Sequence, residues 1–233
     1  MKPTPECSAG HHPETRLTTV AESMSGTDIS GYVERRAGRR SESGDSSAWH
    51  AAFDLYSLGF DRQYDAFGCL FGVRNYANFR PLAPNRGVPI DASETVRAEL
   101  DRLPLPDQAH SCTWITWAEL KAVDWDEMAE RPDSRIHEYR HTPHGPRRVG
   151  KASWSPRFAR AVGIPEPVAG GYGQEWPEGS EWLIDDVLFR SVKLCRRDAV
   201  TDTGEWQPVW SAMRALAEQH GDENVRLVVW FDD

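Results

Sequence analysis

The sequence lacks most of the features that would assign a chain to a chemical class. Its four cysteines stand far apart and form no Cys-x-x-Cys pair, so the spacing gives no support to a four-cysteine zinc site. No stretch approaches 18 consecutive apolar residues, and no apolar segment follows a basic start. We therefore expect neither a membrane-spanning helix nor a secretory signal, and we expect reduced thiols in a cytoplasm.

Two common enzyme motifs and an excess of positive charge are also missing. There is no G-x-x-x-x-G-K-[ST] phosphate-binding loop and no G-x-S-x-G nucleophile elbow. The formal net charge is −9, from 27 Lys and Arg against 36 Asp and Glu. Because broad contact with a phosphate backbone needs a basic surface, nucleic acid is disfavoured as a partner. The one basic segment, RHTPHGPRRVGK at 140–151, is expected to be a solvated loop, with phosphate binding as the alternative.

Apolar and aromatic residues are sufficient for a core. Hydrophobic residues make up 39% of the 233, and ten residues are Trp. Residues 1–27 are rich in Pro, Ser, Thr and Glu without apolar periodicity, which predicts a disordered tail. Residues 28–233 are predicted to form a single α+β domain with a mixed sheet and several packed helices, because strands at both ends enclose helices.

The predicted elements rest on hydrophobic periodicity and on helix-capping patterns. The apolar run at 224–231 (NVRLVVWF) predicts a strand in the centre of a sheet. Capping boxes are expected at Asp91–Glu94 and at Thr116–Glu119. A short helix or strand is expected at 158–164, and a flexible loop at 170–179. The predicted strands are 29–35, 49–58, 182–195 and 224–231, and the predicted helices are 65–73, 92–103, 117–129 and 208–220.

Several segments carry a family resemblance. SGYVERR, RQYDAFGCLFGVRNYANFRPLAPNRGVPIDAS, HSCTWITWAEL and the terminal VRLVVWFDD resemble an uncharacterised protein family of tailed bacteriophages and actinobacterial genomes. Its members carry a GYVE start, an RNY-x-x-F core, an RG-x-P-x-D-x-S turn and an HS-x-x-W-x-T-x-x-E segment. The resemblance covers residues 28–125 and the last ten residues. It implies a phage-related origin and supplies no mechanism.

The polar residues of these motifs form the first candidate site, a pocket for a small anionic or nucleotide-like ligand. Its Arg side chains would donate bidentate hydrogen bonds to phosphate or carboxylate. A base or ring would stack on Tyr76, Trp114 or Trp117. His110 and Glu119 are the only acid–base pair that this hypothesis offers. The alternative is internal pairing: Arg62 and Arg74 pair with Asp65 and Asp91, and Glu119 only caps a helix. The ligand contacts proposed on this basis are Arg74, Asn75, Arg86, His110 and Trp114.

The second candidate is a zinc site at HEYRH, which matches H-E-x-x-H. On a helix, His137 and His141 would share one face as metal ligands, with Glu138 as general base. The third ligand would be His144 or a later carboxylate. Pro143 leaves such a helix little length, so the alternative is an exposed charged segment. No other cofactor is predicted.

A third hypothesis needs neither ligand nor metal. A Trp-rich surface is typical of interaction sites, so the chain would bind a host protein. A phage-type ligand binder or interaction module could modulate host defence. The sequence leaves these three functions open.

Overall fold

The computed structural model describes residues 26–38, 48–58, 62–103, 109–152, 155–165, 175–201 and 203–232. Most of the predicted tail therefore lies outside the described residues. Its last residue, Thr27, is fully buried: its N–H donates to Tyr64 Oη at 3.2 Å, and its Oγ1 accepts from Arg74 Nε at 2.6 Å. Thr27 thus packs with the folded residues that follow it.

Two four-stranded sheets organise the described chain, and the strands pair only in antiparallel fashion. The first sheet has the order β2-β1-β8-β3 and the second has the order β5-β4-β7-β6. The α+β class is confirmed, although the described strands contain no parallel pair. The strands are β1 (Asp28–Arg35), β2 (His50–Asp54), β3 (His110–Thr116), β4 (Ile136–Thr142), β5 (Gly145–Ala152), β6 (Glu181–Ile184), β7 (Val187–Arg190) and β8 (Val225–Asp232).

Six α-helices are found in the described residues, most of them short. Two 3-10 turns, at Tyr56–Leu58 and Asp222–Asn224, complete the regular structure there. In the same ranges, no helix is long and apolar enough to cross a membrane. The helices are α1 (Tyr64–Phe71), α2 (Glu94–Arg102), α3 (Trp117–Lys121), α4 (Pro156–Val162), α5 (Arg196–Ala199) and α6 (Gln207–His220).

The elements with strong apolar patterns appear where the sequence predicts them. β8 lies inside the first sheet, and its residues from Val225 to Phe231 are all buried. α1 packs its apolar side chains into the same core, and Gly72 ends the helix in the left-handed conformation (φ 80°). Gly68 permits a close return of the chain, because a Cβ there would lie 2.7 Å from Asn75 Cα.

Other predictions are wrong in extent or type. α3 ends at Lys121 instead of 129, and the predicted strand 182–195 is the β6–β7 hairpin followed by α5. The basic segment 140–151, expected to be a loop, lies in the β4–β5 hairpin, whereas α4 overlaps the short helix or strand predicted at 158–164. The N-cap of α2 is Ser93, whose Oγ accepts from Val96 N, so Asp91 is free for other contacts.

Asp91 belongs to a buried ion network on the first sheet. Arg226 on β8 lies opposite Glu34 on β1, and its Nε donates to Glu34 Oε2 at 2.7 Å. A terminal nitrogen of Arg226 donates to Asp91 Oδ1 at 2.7 Å, and the guanidinium lies 3.8 Å from the ring centroid of Trp49. Ser93 N donates to the other Glu34 oxygen at 2.7 Å. Glu34 and Arg226 are almost fully buried, so each ion depends on the other for compensation.

We predict that Arg226→Met destabilises the fold strongly, because it leaves the Glu34 carboxylate buried without a counterion. The free energy of unfolding should fall by roughly 3–5 kcal/mol in urea titrations. Arg102→Met is the control: Arg102 is exposed and pairs only with Glu99 on the same helix, so its change should stay within about 0.5 kcal/mol. A loss for Arg226→Met below about 1 kcal/mol, as for a surface pair, would contradict the assignment.

Candidate functional site

Arg74 and Asn75, two predicted ligand contacts, stabilise the turn that follows α1. Arg74 adopts a left-handed backbone (φ 48°) and donates from Nε to Thr27. The Asn75 amide accepts from Phe79 N at 3.0 Å and donates to Phe79 O at 2.7 Å. Both side chains hold chain segments together, but Asp65 and Asp91, the partners that the internal-pairing alternative names, bind Arg135 and Arg226 instead.

Arg86 and Trp114, two further predicted contacts, meet each other. The Arg86 guanidinium lies 5.2 Å from the Trp114 ring centroid, donates to Trp114 O at 3.1 Å and pairs with Glu119 at 2.9 Å. Glu119 also accepts from Thr116 N and Oγ1, which confirms the second predicted capping box. Burial opposes ionisation of Glu119, but the hydrogen bonds from Thr116 and Arg86 outweigh it and lower its pKa. Arg86 therefore fixes the start of α3.

The predicted acid–base pair of His110 and Glu119 is not brought together. His110 begins β3, where its ring stacks on Phe231 and its Nδ1 lies 2.9 Å from Ser111 Oγ. Glu119 follows the other end of this strand. The strand rises by six residue steps from His110 to Thr116, which corresponds to a length of about 20 Å.

The prediction of a helix at the zinc motif is wrong, because His137 and His141 lie on strand β4. Four residues along a strand span about 13 Å, too far for both imidazoles to reach one ion. His137 is buried and its Nε2 lies 3.0 Å from Asp133 Oδ2, whereas His141 is exposed. Across the described ranges, no three His, Cys, Asp or Glu side chains are grouped as metal ligands.

His137 belongs to a second buried charge network, between α1 and the β4–β5 hairpin. Asp133 accepts from Arg135 and Lys151 as well as from His137, and both cations also bind Asp65 on α1. Burial would raise the pKa of Asp133, but the hydrogen bonds from His137 and Arg135 and the charge of Lys151 hold it far below its usual range. Two carboxylates and two cations balance here, so the network connects the two sheets.

A groove between α3 and α6 forms a concave surface lined by aromatic side chains. It encloses about 460 Å³, and three half-buried indoles, those of Trp117, Trp125 and Trp210, line it. The same three rings pack with their inner edges against the main core, so their positions are fixed. We call this surface the tryptophan groove; its remaining lining residues are Leu120, Lys121, Val200, Arg214, Ala217, Glu218 and Asp222.

Two of the four charges at the tryptophan groove are already paired. Lys121 Nζ donates to Asp222 Oδ2 at 2.6 Å. Arg214 and Glu218, one turn apart on α6, are both exposed, and neither has an ion-pair partner within the described part of the chain. The groove thus offers aromatic faces, one unpaired cation and one unpaired anion.

The sequence hypothesis included Trp117 as a stacking residue but missed the groove. Trp125 and Trp210 come from a loop after α3 and from α6, and only folding brings them beside Trp117. The signal available beforehand was the count of ten Trp, more than the core positions of the predicted helices require.

No protein-family model, no curated protein and no solved structure matches this chain. The phage-family resemblance therefore stays a prediction.

The buried imidazole of His137 makes stability depend on pH. Burial lowers the pKa of His137, although the hydrogen bond to Asp133 acts in the opposite direction. As the pH falls, the unfolded chain binds a proton near pH 6.5, which is the usual pKa of histidine. The folded chain binds it only at a lower pH. The stability from the neutral ring is therefore complete above about pH 6.5 and is lost as the pH falls below it.

We predict that His137→Gln reduces the loss of melting temperature between about pH 7 and pH 5, because it removes this proton uptake. Gln retains a donor for Asp133. His141→Gln, on the exposed part of the same strand, should leave the wild-type pH dependence unchanged. Equal pH slopes for wild type and His137→Gln would show that His137 does not titrate differently in the folded state.

Proposed function

We propose that the protein binds a planar aromatic ligand with a single anionic group, of the nucleoside monophosphate class, in the tryptophan groove. The observation that carries this proposal is the convergence of three indoles on one cavity of about 460 Å³. Ligand pockets have volumes of about 300–1,000 Å³ and combine apolar walls with a few polar groups.

Stacking supplies the first part of the recognition. Trp117, Trp125 and Trp210 are anchored by the core, and Trp210 also stacks on the buried Trp206 at 5.2 Å with an interplanar angle of 22°. A ligand ring would thus meet preorganised surfaces, which reduces the entropy lost on binding. Stacking of a base on an aromatic side chain contributes about 1–3 kcal/mol and tolerates different bases.

The rim charges supply the second part and limit the ligand's charge. Arg214 is the cation that has no carboxylate partner in the described residues, so its donors are available to one phosphate or carboxylate. Glu218 lies one helical turn away, where it would accept a hydrogen bond from a ring amino group. Glu218 and Asp222 would repel a polyphosphate chain, which favours a monophosphate.

The predicted contacts support this site indirectly. Arg86 pairs with Glu119, and Glu119 caps α3, which begins with Trp117. Arg86 therefore positions one wall of the groove instead of contacting a ligand. A cytoplasmic location, where nucleoside monophosphates occur, and a role in modulating host defence remain part of the proposal.

We predict saturable quenching of tryptophan fluorescence by adenosine monophosphate, with weaker binding of adenosine. Trp210→Ala should weaken both ligands about tenfold or more, because it removes a stacking surface. Arg214→Gln should weaken adenosine monophosphate by a similar factor and leave adenosine unchanged, because only the phosphate uses the guanidinium.

Arg102→Gln is the matched control, since Arg102 is an exposed helical arginine on α2, outside the groove lining. It should bind both compounds as the wild type does. Absence of saturable quenching by either compound, or equal weakening by Arg102→Gln and Arg214→Gln, would overturn the proposal.

A further inference from the structure

The β4–β5 hairpin carries a concentrated positive charge on an acidic protein. Arg140 on β4 and Arg147 and Arg148 on β5 are all exposed, as are His141 and His144 near the turn. Arg140 lies directly opposite Arg147 in the strand register. Like charges in directly opposed positions destabilise an antiparallel pair, so stability alone does not explain this placement.

These three arginines also lack carboxylate partners within the described ranges. Most other described arginines have one; Arg80, Arg102 and Arg131, for example, pair with Glu127, Glu99 and Glu175. The adjacent β6–β7 turn carries Asp185 and Asp186. Arg157 engages both, by a hydrogen bond to Asp185 and a 3.9 Å approach to Asp186. Arg157 thus balances one of these two carboxylates, and three positive charges of the hairpin face one remaining negative charge of this turn.

The cations point from both faces of the hairpin. Opposed residues share a face and consecutive residues alternate, so Arg140 and Arg147 project from one side. Arg148, opposite Tyr139, projects from the other side, together with His141. A flat acidic surface would meet only one of these sets. A groove with negatively charged walls on both sides would meet both.

We propose that the β4–β5 hairpin binds duplex DNA by entering the major groove and contacting the phosphates on its two walls. The major groove is about 12 Å wide and admits a two-stranded β-ribbon. β7 pairs with β4 only as far as Arg140, so the hairpin tip beyond this residue is such a ribbon, with the arginines at its base. Contacts to phosphate carry no sequence information, so this binding is tolerant of sequence and depends on salt. The net charge of −9 disfavours extended contact with nucleic acid and confines it to this one element.

The test is the binding of a fluorescent duplex of about 20 base pairs, roughly two helical turns, at salt concentrations from about 50 to 200 mM. The wild type should show a log–log salt slope of about −3, from three phosphate contacts. Arg140→Gln/Arg147→Gln/Arg148→Gln should weaken binding at least about tenfold at the lowest salt and should reduce the slope by about three.

The control variant, Arg80→Gln/Arg102→Gln/Arg131→Gln, also removes three exposed positive charges but from paired positions. It should bind DNA as the wild type does, and melting temperatures should confirm that both variants fold. Equal weakening by the two triple variants would assign binding to overall charge and overturn the proposal. Absence of wild-type binding to DNA at the lowest salt would also overturn the proposal. Binding to phosphatidylserine vesicles without binding to DNA would do the same.

Discussion

Arg226 is the charge that the first sheet must accommodate, because it lies on the buried central strand. A guanidinium that is 3% exposed needs an acceptor for each of its donor nitrogens. Nε donates to Glu34 on β1, and the two terminal nitrogens donate to the carboxylate and the carbonyl oxygen of Asp91. Its faces contact Trp49 and Trp114. One side chain thus fixes β1, β2, β3 and the entry to α2 relative to β8.

The same contacts extend from the sheet to the tryptophan groove. Trp114, which lies beside Arg226, also supports the guanidinium of Arg86. Arg86 pairs with Glu119, which caps α3 and so places Trp117 in the groove wall. Arg86 and Trp114, two of the residues that the sequence marked as ligand contacts, therefore lie in the framework behind the groove. The hydrogen bonds of Arg86 satisfy partly buried donors, and a sequence cannot distinguish this need from ligand binding.

The sequence predicted the elements whose signal is local. α6 and β8 have strong apolar patterns, and the cap of α3 needs only Thr116 and Glu119. The β4–β5 hairpin was missed because its residues are charged and its bulge interrupts the alternation of faces. The partners of the polar side chains could not be predicted either: Arg74 bonds to a residue 47 positions away, and Arg86 to one 33 positions away.

Net charge was the least reliable guide to partners, because it sums over paired and unpaired groups alike. Paired arginines such as Arg135 and Arg226 contribute to the total but present little charge to the solvent. The charge that a ligand meets is what remains after pairing: one guanidinium beside one carboxylate at the tryptophan groove, and three guanidiniums at the β4–β5 hairpin. A small monoanion suits the first surface and a polyanion suits the second. Because these surfaces share no residue, a change of charge in one leaves the contacts of the other in place.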